Sequence, residues 1–433
     1  MRAGAAARRG RAGILTGRPR GLPLGRARPA MRPPGAPRVH PHSSYMRALI
    51  PAASYHSAEV FAHEQDALFG AVWQFVGFAH DLAQSDDYLT ATVSGRSVVV
   101  QNFAGGLRAF ANVCSHRFAR IHDCAKGNGP LRCPYHGWIY NKDGVPYSIP
   151  SRPRFDDLTP ATVASLALRR YEVERCGAFV FVRREAGGPS LREWLGAAYG
   201  TLEAVSAALG PQVDVNEMVI EADWKVGVEN TLESYHVGFV HSDSFKKVGA
   251  KGMDFTFDGP HSSWLSPVDA SIQGQMTKLL PRFEPRPLPV DGYFHQLVFP
   301  NLTVATTYGT SFAVQLFEPL APGRTRFRSV VFQGRVPDGT RGAAVLAMLN
   351  ESVAEFNRTV FSEDKVICEQ VQRGVVEAEQ PGILSYEEAR VLRFQEAYAR
   401  FVPAGASRDA SAGAEAEPLE AERIEAAEPA LSR

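Results

Sequence analysis

Residues 114–117 of this chain read Cys-Ser-His-Arg, and residues 131–138 read Leu-Arg-Cys-Pro-Tyr-His-Gly-Trp. Each stretch places a cysteine and a histidine two or three positions apart, so each can offer two ligands to a metal centre. Two thiolates and two imidazoles suit a tetrahedral zinc ion. They also suit a two-iron cluster in which one iron takes the cysteines and the other takes the histidines. The spacing alone does not choose between these metals. The candidate ligands are Cys114, His116, Cys133 and His136.

A second metal-binding pattern follows later in the chain. Residues 224–241 read Trp-Lys-Val-Gly-Val-Glu-Asn-Thr-Leu-Glu-Ser-Tyr-His-Val-Gly-Phe-Val-His. His236 and His241 offer two imidazoles, and the acidic pair at 363–364 offers a carboxylate. Two histidines and one carboxylate on one face of an iron leave the other positions open for dioxygen, water and substrate. The pattern therefore indicates a catalytic iron site.

The spacing within this segment also predicts its local structure. Residues three apart share a face of a regular helix, so Glu233 should lie beside His236. A step of five residues rotates by about 140°, which takes His241 off that face. We therefore expect the helix to end near Gly238 or to contain a bulge.

The same stretches resemble those of a known family. Residues 114–117 and 131–138 are similar to the two ligand loops of Rieske proteins. Residues 224–241 and 362–374 are similar to the iron-binding segments of Rieske non-haem iron oxygenase α subunits, and the resemblance covers residues 50–400. It implies one [2Fe-2S] cluster and one Fe(II) per subunit. The implied cluster ligands are Cys114, His116, Cys133 and His136, and the implied iron ligands are His236, His241 and Asp364.

Two positions depart from the usual pattern of that family. Phe118 stands where many relatives carry glycine, which affects the backbone path of the first loop. Glu233 stands where most members carry an aspartate that bridges a cluster histidine of one subunit and an iron histidine of its neighbour in a trimer. By matching position, its partners here are His136 and His236. Glutamate is also found at this position in the carnitine and betaine oxygenase branch.

The third iron ligand has a competitor. The resemblance favours Asp364, but Glu363 is adjacent, and an acidic pair at a helix start is a common response to the helix dipole. Asn230 matches a residue near the iron in relatives, and an asparagine on the helix surface is the alternative interpretation.

The predicted fold class is α+β. Residues 46–190 should form a small antiparallel β domain carrying the cluster, with a helical lead-in, and residues 191–403 a catalytic domain of helices and an antiparallel sheet. Residues 1–45 are rich in Arg, Gly, Pro and Ala and should be a disordered extension, or follow from a start assigned too early, with Met46 as the natural start. Residues 404–433 should be a disordered tail.

Composition limits the partners and the compartment. Charge is balanced, with 47 basic and 46 acidic residues, so nothing marks the chain for nucleic acid. The longest apolar stretch, residues 67–79, is too short to span a bilayer. Five scattered cysteines argue against a disulfide framework. We expect a cytoplasmic protein, with organelle import through residues 1–45 as a minor alternative.

The resemblance implies a function. The chain would be the terminal oxygenase, using O2 to hydroxylate or oxidatively demethylate a small organic substrate at Fe(II). Electrons would come from NADH or NADPH through a separate reductase, with or without a ferredoxin, because no G-x-G-x-x-G after a strand offers a nicotinamide site here. Bridging by Glu233 across subunits would require at least a homotrimer.

Two alternatives stand beside this function: an electron carrier or metal-binding scaffold that uses only the first motif, and a zinc hydrolase at the second site with Glu233 as base. The second lacks the usual His-Glu-x-x-His spacing. The substrate is open, because aromatic residues of the second domain could form a cage for a quaternary ammonium group or a slot for an aromatic ring. Core packing explains most of them better: Trp264, Tyr293, Phe294, Phe299, Tyr308, Phe312 and Phe317.

Overall fold

The structure is a computed structural model that describes residues 45–155, 158–242, 244–250, 254–336 and 343–403. The predictions made for residues 1–44 and 404–433 lie outside these ranges. In the described part of the chain, no helix is both long enough and apolar enough to cross a membrane.

The first half of the chain forms a seven-stranded antiparallel sheet with the strand order β2-β10-β9-β5-β4-β3-β6. A separate two-stranded ribbon, β7-β8, carries the end of the second Cys/His loop. The strands are β1 Met46–Arg47, β2 Gln74–Phe78, β3 Asp87–Val93, β4 Arg96–Phe103, β5 Gly106–Ala111, β6 Lys126–Asn128, β7 Ile139–Tyr140, β8 Pro146–Ser148, β9 Arg170–Cys176 and β10 Phe179–Arg183.

Two tight turns set the register of β3, β4 and β5. Ser94 and Gly95 both have positive φ, at 52° and 67°, and so do Ala104 and Gly105, at 51° and 93°. Two consecutive residues of positive φ form the turn whose twist matches a two-residue hairpin. The glycine that follows each non-glycine residue makes this turn accessible, which is why the sequence indicates hairpins here.

The second half forms another seven-stranded antiparallel sheet, in the order β11-β17-β16-β15-β14-β13-β12, with helices on it. The remaining strands are β11 Leu209–Ile220, β12 Phe255–Asp258, β13 His261–Ser266, β14 Tyr293–Val298, β15 Leu302–Thr307, β16 Ser311–Ala321, β17 Arg324–Gly334 and β18 Ile383–Leu384. The helices are α1 Ala58–His63, α2 Pro160–Ser165, α3 Leu191–Leu195, α4 Ala197–Ala208, α5 Trp224–Thr231, α6 Val237–Val240, α7 Ala270–Leu279, α8 Ala343–Val375 and α9 Ala389–Ala399. The mixed helix and sheet class predicted from the sequence is confirmed.

The lead-in before the first sheet packs with the second half of the chain. Ile50, Tyr55 and Leu68 belong to the same buried cluster as Trp224 of α5 and Phe394 of α9. The apolar side chains of the lead-in therefore belong to the core of the second half, although the lead-in precedes the first sheet in sequence.

A buried ion cluster joins this lead-in to α5. Lys225 is fully buried, and its Nζ donates to Glu64 Oε1 at 2.6 Å and to Asp223 Oδ1 at 2.7 Å. Glu64 is also fully buried and accepts hydrogen bonds from the hydroxyl of Tyr398 and the indole N–H of Trp224, at 2.6 and 3.0 Å. Buried charges are stable only when paired and hydrogen-bonded, and this cluster satisfies both conditions.

Lys225→Met should lower the free energy of unfolding by about 3–5 kcal/mol, because it leaves Glu64 and Asp223 buried without their cation. Urea unfolding followed by circular dichroism measures the change. The control is Lys126→Met, which removes an exposed ion pair with Asp81 and should cost less than about 1 kcal/mol. Equal losses in the two variants would contradict a special role for the buried cluster.

Candidate metal centres and active site

The two Cys/His loops close in the same way. In each loop the cysteine N–H donates to the carbonyl five residues later at 2.8 Å, and the residue four positions after the cysteine donates back to the cysteine carbonyl at 3.0 Å. These bonds fold each loop so that its cysteine and histidine turn inward together. The residues are Cys114, Phe118 and Ala119 in the first loop, and Cys133, Gly137 and Trp138 in the second.

Phe118 adopts the backbone conformation that the second loop assigns to a glycine. The φ of Phe118 is 62°, and the φ of Gly137 at the equivalent position is 72°. The departure noticed in the sequence therefore leaves the backbone path unchanged. A residue with a Cβ in this left-handed region carries a cost of about 1–2 kcal/mol, which glycine avoids. The Phe118 side chain is 78% exposed, so packing within the described chain does not offset that cost.

The four candidate cluster ligands are brought together. The thiols of Cys114 and Cys133 are buried and within hydrogen-bond reach of each other, and burial raises the pKa of the Cys133 thiol. The rings of His116 and His136 lie 4.5 Å apart. The Nδ1 atom of each ring is buried and has no hydrogen-bond partner in the described part of the chain.

This donor set fits a two-iron cluster. A buried imidazole nitrogen normally has a hydrogen-bond partner, so two such nitrogens without one, in loops that also carry two buried thiols, are the donor set that such a cluster would use. Tyr140 adds a further contact, because its hydroxyl lies 3.0 Å from the Cys114 sulfur. The same hydroxyl accepts the backbone N–H of Ser115 at 3.1 Å.

The second candidate centre consists of His236, His241 and Asp364. The Nε2 atoms of the two histidines are 3.2 Å apart, and Asp364 Oδ1 lies 3.0 Å from His241 Nε2 and 3.7 Å from His236 Nε2. One ligand atom from each residue lies within 4.8 Å of the others, which is close enough to share one ion. His241 and Asp364 are buried, whereas His236 is partly exposed. Two imidazoles and one carboxylate are the ligand set of a mononuclear non-haem iron.

A carboxylate holds each of these histidines from behind. Glu233 Oε1 hydrogen-bonds to Nδ1 of His236, and Glu363 Oε2 lies 2.7 Å from Nδ1 of His241. Ser244 donates its hydroxyl to the same Glu363 oxygen. These contacts leave both Nε2 atoms facing the shared point and increase their basicity as metal ligands. Burial lowers the pKa of His241, but its bonds with the two carboxylates outweigh burial and raise that pKa.

The positions of Glu363 and Asp364 differ from the expectation. Helix α8 runs without a break from Ala343 to Val375, so the acidic pair lies in its interior and not at a helix start. The helix-dipole explanation for Glu363 is therefore wrong. Asp364 faces both Nε2 atoms, and Glu363 contacts the opposite side of His241.

The helix through Glu233 and His236 also differs from the expectation. Helix α5 ends at Thr231, and α6 begins only at Val237. Glu233 lies beside His236 because of a tight turn, in which its carboxylate accepts the backbone N–H of Tyr235 and, at 3.2 Å, that of His236. A carboxylate that bonds the backbone in this way stabilises a turn in place of a helix.

Asn230, at the end of α5, takes part in the site. Its side-chain N–H donates to Asp364 Oδ1 at 2.7 Å and fixes the carboxylate beside the histidines. The helix-surface interpretation of this asparagine is therefore wrong.

A cavity of about 400 Å³ opens beside these residues. One wall is the sheet, and the opposite wall is the face of α8 that leads to Asp364. Of the seven aromatic residues considered for a cage or slot, Trp264 and Tyr293 line the cavity and the other five do not, as expected if core packing explains most of them. Phe245, Phe356 and His295 also line the cavity, and they were not predicted from the sequence. The helical spacing of 356, 360 and 364 is a signal that could have indicated the wall formed by α8.

Comparison with known proteins agrees with this architecture. Residues 72–171 match the Rieske [2Fe-2S] domain, and residues 191–404 match the catalytic domain of the ring hydroxylating alpha subunit. The choline monooxygenase, chloroplastic, of Beta vulgaris is 28% identical over 342 residues, which is 76% of this chain and 71% of that protein. The carnitine monooxygenase oxygenase subunit of Acinetobacter baumannii is 27% identical over 340 residues, 75% of this chain and 85% of that protein.

A solved structure shares the fold. The quaternary ammonium Rieske monooxygenase CntA in complex with L-carnitine superposes with a TM-score of 0.67 at 21% identity, covering 83% of this chain and 96% of that one. Fold and domain matches together define a Rieske oxygenase. The chain belongs to the family of Rieske non-haem iron oxygenase α subunits, an oxidoreductase family whose cofactors are a [2Fe-2S] cluster and a mononuclear iron. A zinc hydrolase is excluded by this membership.

Phe118→Gly should raise the free energy of unfolding by about 1 kcal/mol, because glycine adopts the positive φ without the steric cost. Urea unfolding followed by the visible absorbance of the cluster measures the change. Tyr135→Gly is the control, since it removes an exposed aromatic side chain of the second loop at a position without positive φ. It should be neutral or destabilising, and a loss of stability in Phe118→Gly would contradict the strain argument.

Proposed function

We propose that this terminal oxygenase hydroxylates a C–H bond of a small methylated ammonium compound. The observation that carries the proposal is the lining of the cavity beside His236, His241 and Asp364. Five aromatic side chains contribute to the wall, and among the described lining residues none is Lys or Arg. The faces of aromatic rings attract cations, and a cation desolvated against them gains about 2 kcal/mol or more. The aromatic lining residues are Phe245, Trp264, Tyr293, Phe356 and Phe361.

The two metal groups would be held by the residues already described. Cys114, His116, Cys133 and His136 would hold the [2Fe-2S] cluster, and His236, His241 and Asp364 the Fe(II). When bound, they supply stored electrons and the activation of O2. The reaction inserts one oxygen atom into a C–H bond, and the other leaves as water with two electrons and two protons. Asn230, Glu233 and Glu363 orient the iron ligands, and the cavity holds the substrate away from bulk water.

Electrons would come from a separate NADH- or NADPH-dependent reductase, with or without a ferredoxin. We further propose that Glu233 bridges His236 to His136 of a neighbouring subunit in a homotrimer. Within the described chain Glu233 bonds His236, and the other half of the bridge would require a second copy. Exposed aromatic side chains lie near both ends of the proposed bridge. Phe118 and Tyr135 are in the two Cys/His loops, and Tyr235 and Phe239 are close to His236 in sequence. Such apolar patches mark protein contacts.

The compartment is also a proposal, and it has one alternative. A cytoplasmic location remains our proposal, supported by five cysteines that form no disulfide. The chloroplastic name of the Beta vulgaris relative supports organelle import through residues 1–45 as the alternative.

Asp364→Ala should lose the mononuclear iron and keep the cluster, because it removes a ligand of one centre only. Glu233→Gln should keep both metals and slow electron transfer by about 10–100-fold, because an amide holds the imidazoles without charge. Iron analysis, visible absorbance and the single-turnover rate of cluster reoxidation by O2 measure these effects. An unchanged iron content in Asp364→Ala would transfer the ligand role to Glu363. A normal reoxidation rate in Glu233→Gln would remove the bridge.

The substrate class is tested with choline and its uncharged isostere, 3,3-dimethyl-1-butanol. The iron-loaded, reduced enzyme under anaerobic conditions should bind choline at least about tenfold more tightly, because only the cation gains from the aromatic wall. Titration calorimetry measures both affinities, and one turnover of the pre-reduced enzyme with O2 tests oxidation without a reductase. Equal or tighter binding of the alcohol would overturn the proposed substrate class.

A further inference from the structure

A buried cation without a carboxylate lies behind the cavity wall. Arg390 of α9 is fully buried, and its Nε donates to the hydroxyl of Ser262 at 3.1 Å. One terminal nitrogen of Arg390 donates to Nδ1 of His295 at 3.1 Å, and the other has no hydrogen-bond partner. In the described part of the chain Arg390 forms no ion pair with a carboxylate. Buried charges are normally paired, so a negative group of a bound ligand would compensate the charge of the Arg390 guanidinium.

Arg390 determines which nitrogen of His295 carries the proton. A guanidinium can only donate, so Nδ1 of His295 accepts and the proton of the neutral ring lies on Nε2. Burial, and then the charge of Arg390, lower the pKa of His295 well below its usual range, which keeps the ring neutral. Burial lowers the pKa of Arg390 to about 9, so the guanidinium stays charged at neutral pH. His295 is therefore a fixed hydrogen-bond donor.

This donor belongs to the cavity and has no partner in the described chain. His295 is 2% exposed and lines the cavity, and its Nε2 is buried without a hydrogen bond. An unsatisfied buried donor costs about 1–3 kcal/mol, which a bound acceptor would recover.

A second unpartnered donor lies on the same face of the sheet. Trp264 of β13 pairs directly with His295 of β14, so their side chains share one face. Trp264 also lines the cavity, and its buried indole N–H has no partner. The next residues in this row are small, Ala305 on β15 and Ala313 on β16, and both line the cavity. Two N–H donors beside two alanines leave room for a polar group of the ligand.

We propose that His295 and Trp264 form a subsite for the carboxylate of a zwitterionic substrate, with Arg390 supplying positive charge through His295. The inference rests on the proposed function and adds a second recognition element to it. The other rings of the aromatic wall, Phe245, Tyr293, Phe356 and Phe361, would hold the methylated ammonium end, and the N–H groups of His295 and Trp264 would hold the carboxylate. A hydroxyl could also accept these hydrogen bonds, but only an anion compensates the buried charge of Arg390, so we commit to a carboxylate.

The experiment uses two trimethylammonium probes of nearly the same shape, one zwitterionic and one cationic. One is 4-(trimethylammonio)butanoate, and the other is (4-methylpentyl)trimethylammonium, in which an isopropyl group replaces the carboxylate. The wild-type holoenzyme should bind the carboxylate probe at least about tenfold more tightly, as measured by anaerobic titration calorimetry. Equal affinities, or tighter binding of the isopropyl probe, would overturn the subsite.

Three variants locate the effect. His295→Leu should weaken the carboxylate probe by about 10–100-fold and change the isopropyl probe by less than about twofold, whereas His295→Gln, which keeps an N–H near the Nε2 position, should restore much of the loss. Trp264→Phe keeps the ring and removes the N–H, and it should weaken only the carboxylate probe, by about 2–10-fold. It serves as the informative variant if His295→Leu fails to fold.

His261→Leu is the matched control. His261 is another buried neutral histidine of the same sheet, bonded to the Trp194 carbonyl and the Phe299 N–H, and it does not line the cavity. It should leave both affinities unchanged. Equal losses for both probes in His295→Leu would overturn the subsite. Failure of the ammonium proposal is distinguished by the choline pair, which contains no carboxylate.

Discussion

The pairing of Lys225 with Glu64 and Asp223 is the constraint on which the catalytic half depends. All three groups are buried, so each carboxylate is acceptable only while Lys225 is in place, and Lys225 only while it is paired with them. Tyr398 of α9 completes the cluster by donating to Glu64. The interaction therefore links the lead-in, α5 and the last helix, which are far apart in sequence. Helix α5 is fixed in position, and its last turn carries Asn230 to the carboxylate of Asp364.

Both histidines of the candidate iron site are oriented in the same way. A glutamate holds Nδ1 of each ring, Glu233 for His236 and Glu363 for His241, and the Nε2 atoms then face the same point. The rings cannot rotate freely without losing a charge-assisted hydrogen bond. The site is thus organised by residues that would not touch the metal. The long helix α8 supplies both Glu363 and Asp364. Its position relative to His241 therefore decides which carboxylate contacts Nδ1 and which faces Nε2.

The cavity combines this centre with two different kinds of wall. Rings supply a surface for positive charge, and the row from Trp264 to Ala313 supplies donors beside small side chains. Arg390 does not line the cavity, but it fixes the tautomer of a residue that does. Because the guanidinium can only donate to Nδ1 of His295, the proton of the neutral ring lies on Nε2. Electrostatic selection of a ligand then depends on a residue that the ligand does not contact.

The sequence by itself located the candidate ligands of both centres, and its resemblance to Rieske oxygenases indicated which metals they would bind. Cys114, His116, Cys133 and His136 lie in short local patterns, and two-residue or three-residue spacing survives folding because the loop backbone fixes it. The twin loops even tolerate Phe118, since hydrogen bonds to Cys114 impose the positive φ that a glycine would adopt freely. The α+β class followed from the alternation of short β runs, Gly-containing turns and helical periodicity.

Only the tertiary structure decided which residues far apart in sequence contact each other and which role each one takes in the site. Asp364 and Glu363 are adjacent in sequence, yet α8 turns one toward the histidine Nε2 atoms and the other behind His241. The break between α5 and α6 depends on hydrogen bonds of Glu233 that helical periodicity does not encode. The link between Arg390 and His295 joins a helix to a strand 95 positions earlier. No local pattern contains these contacts, because each arises when separate elements pack and exclude water from the charges between them.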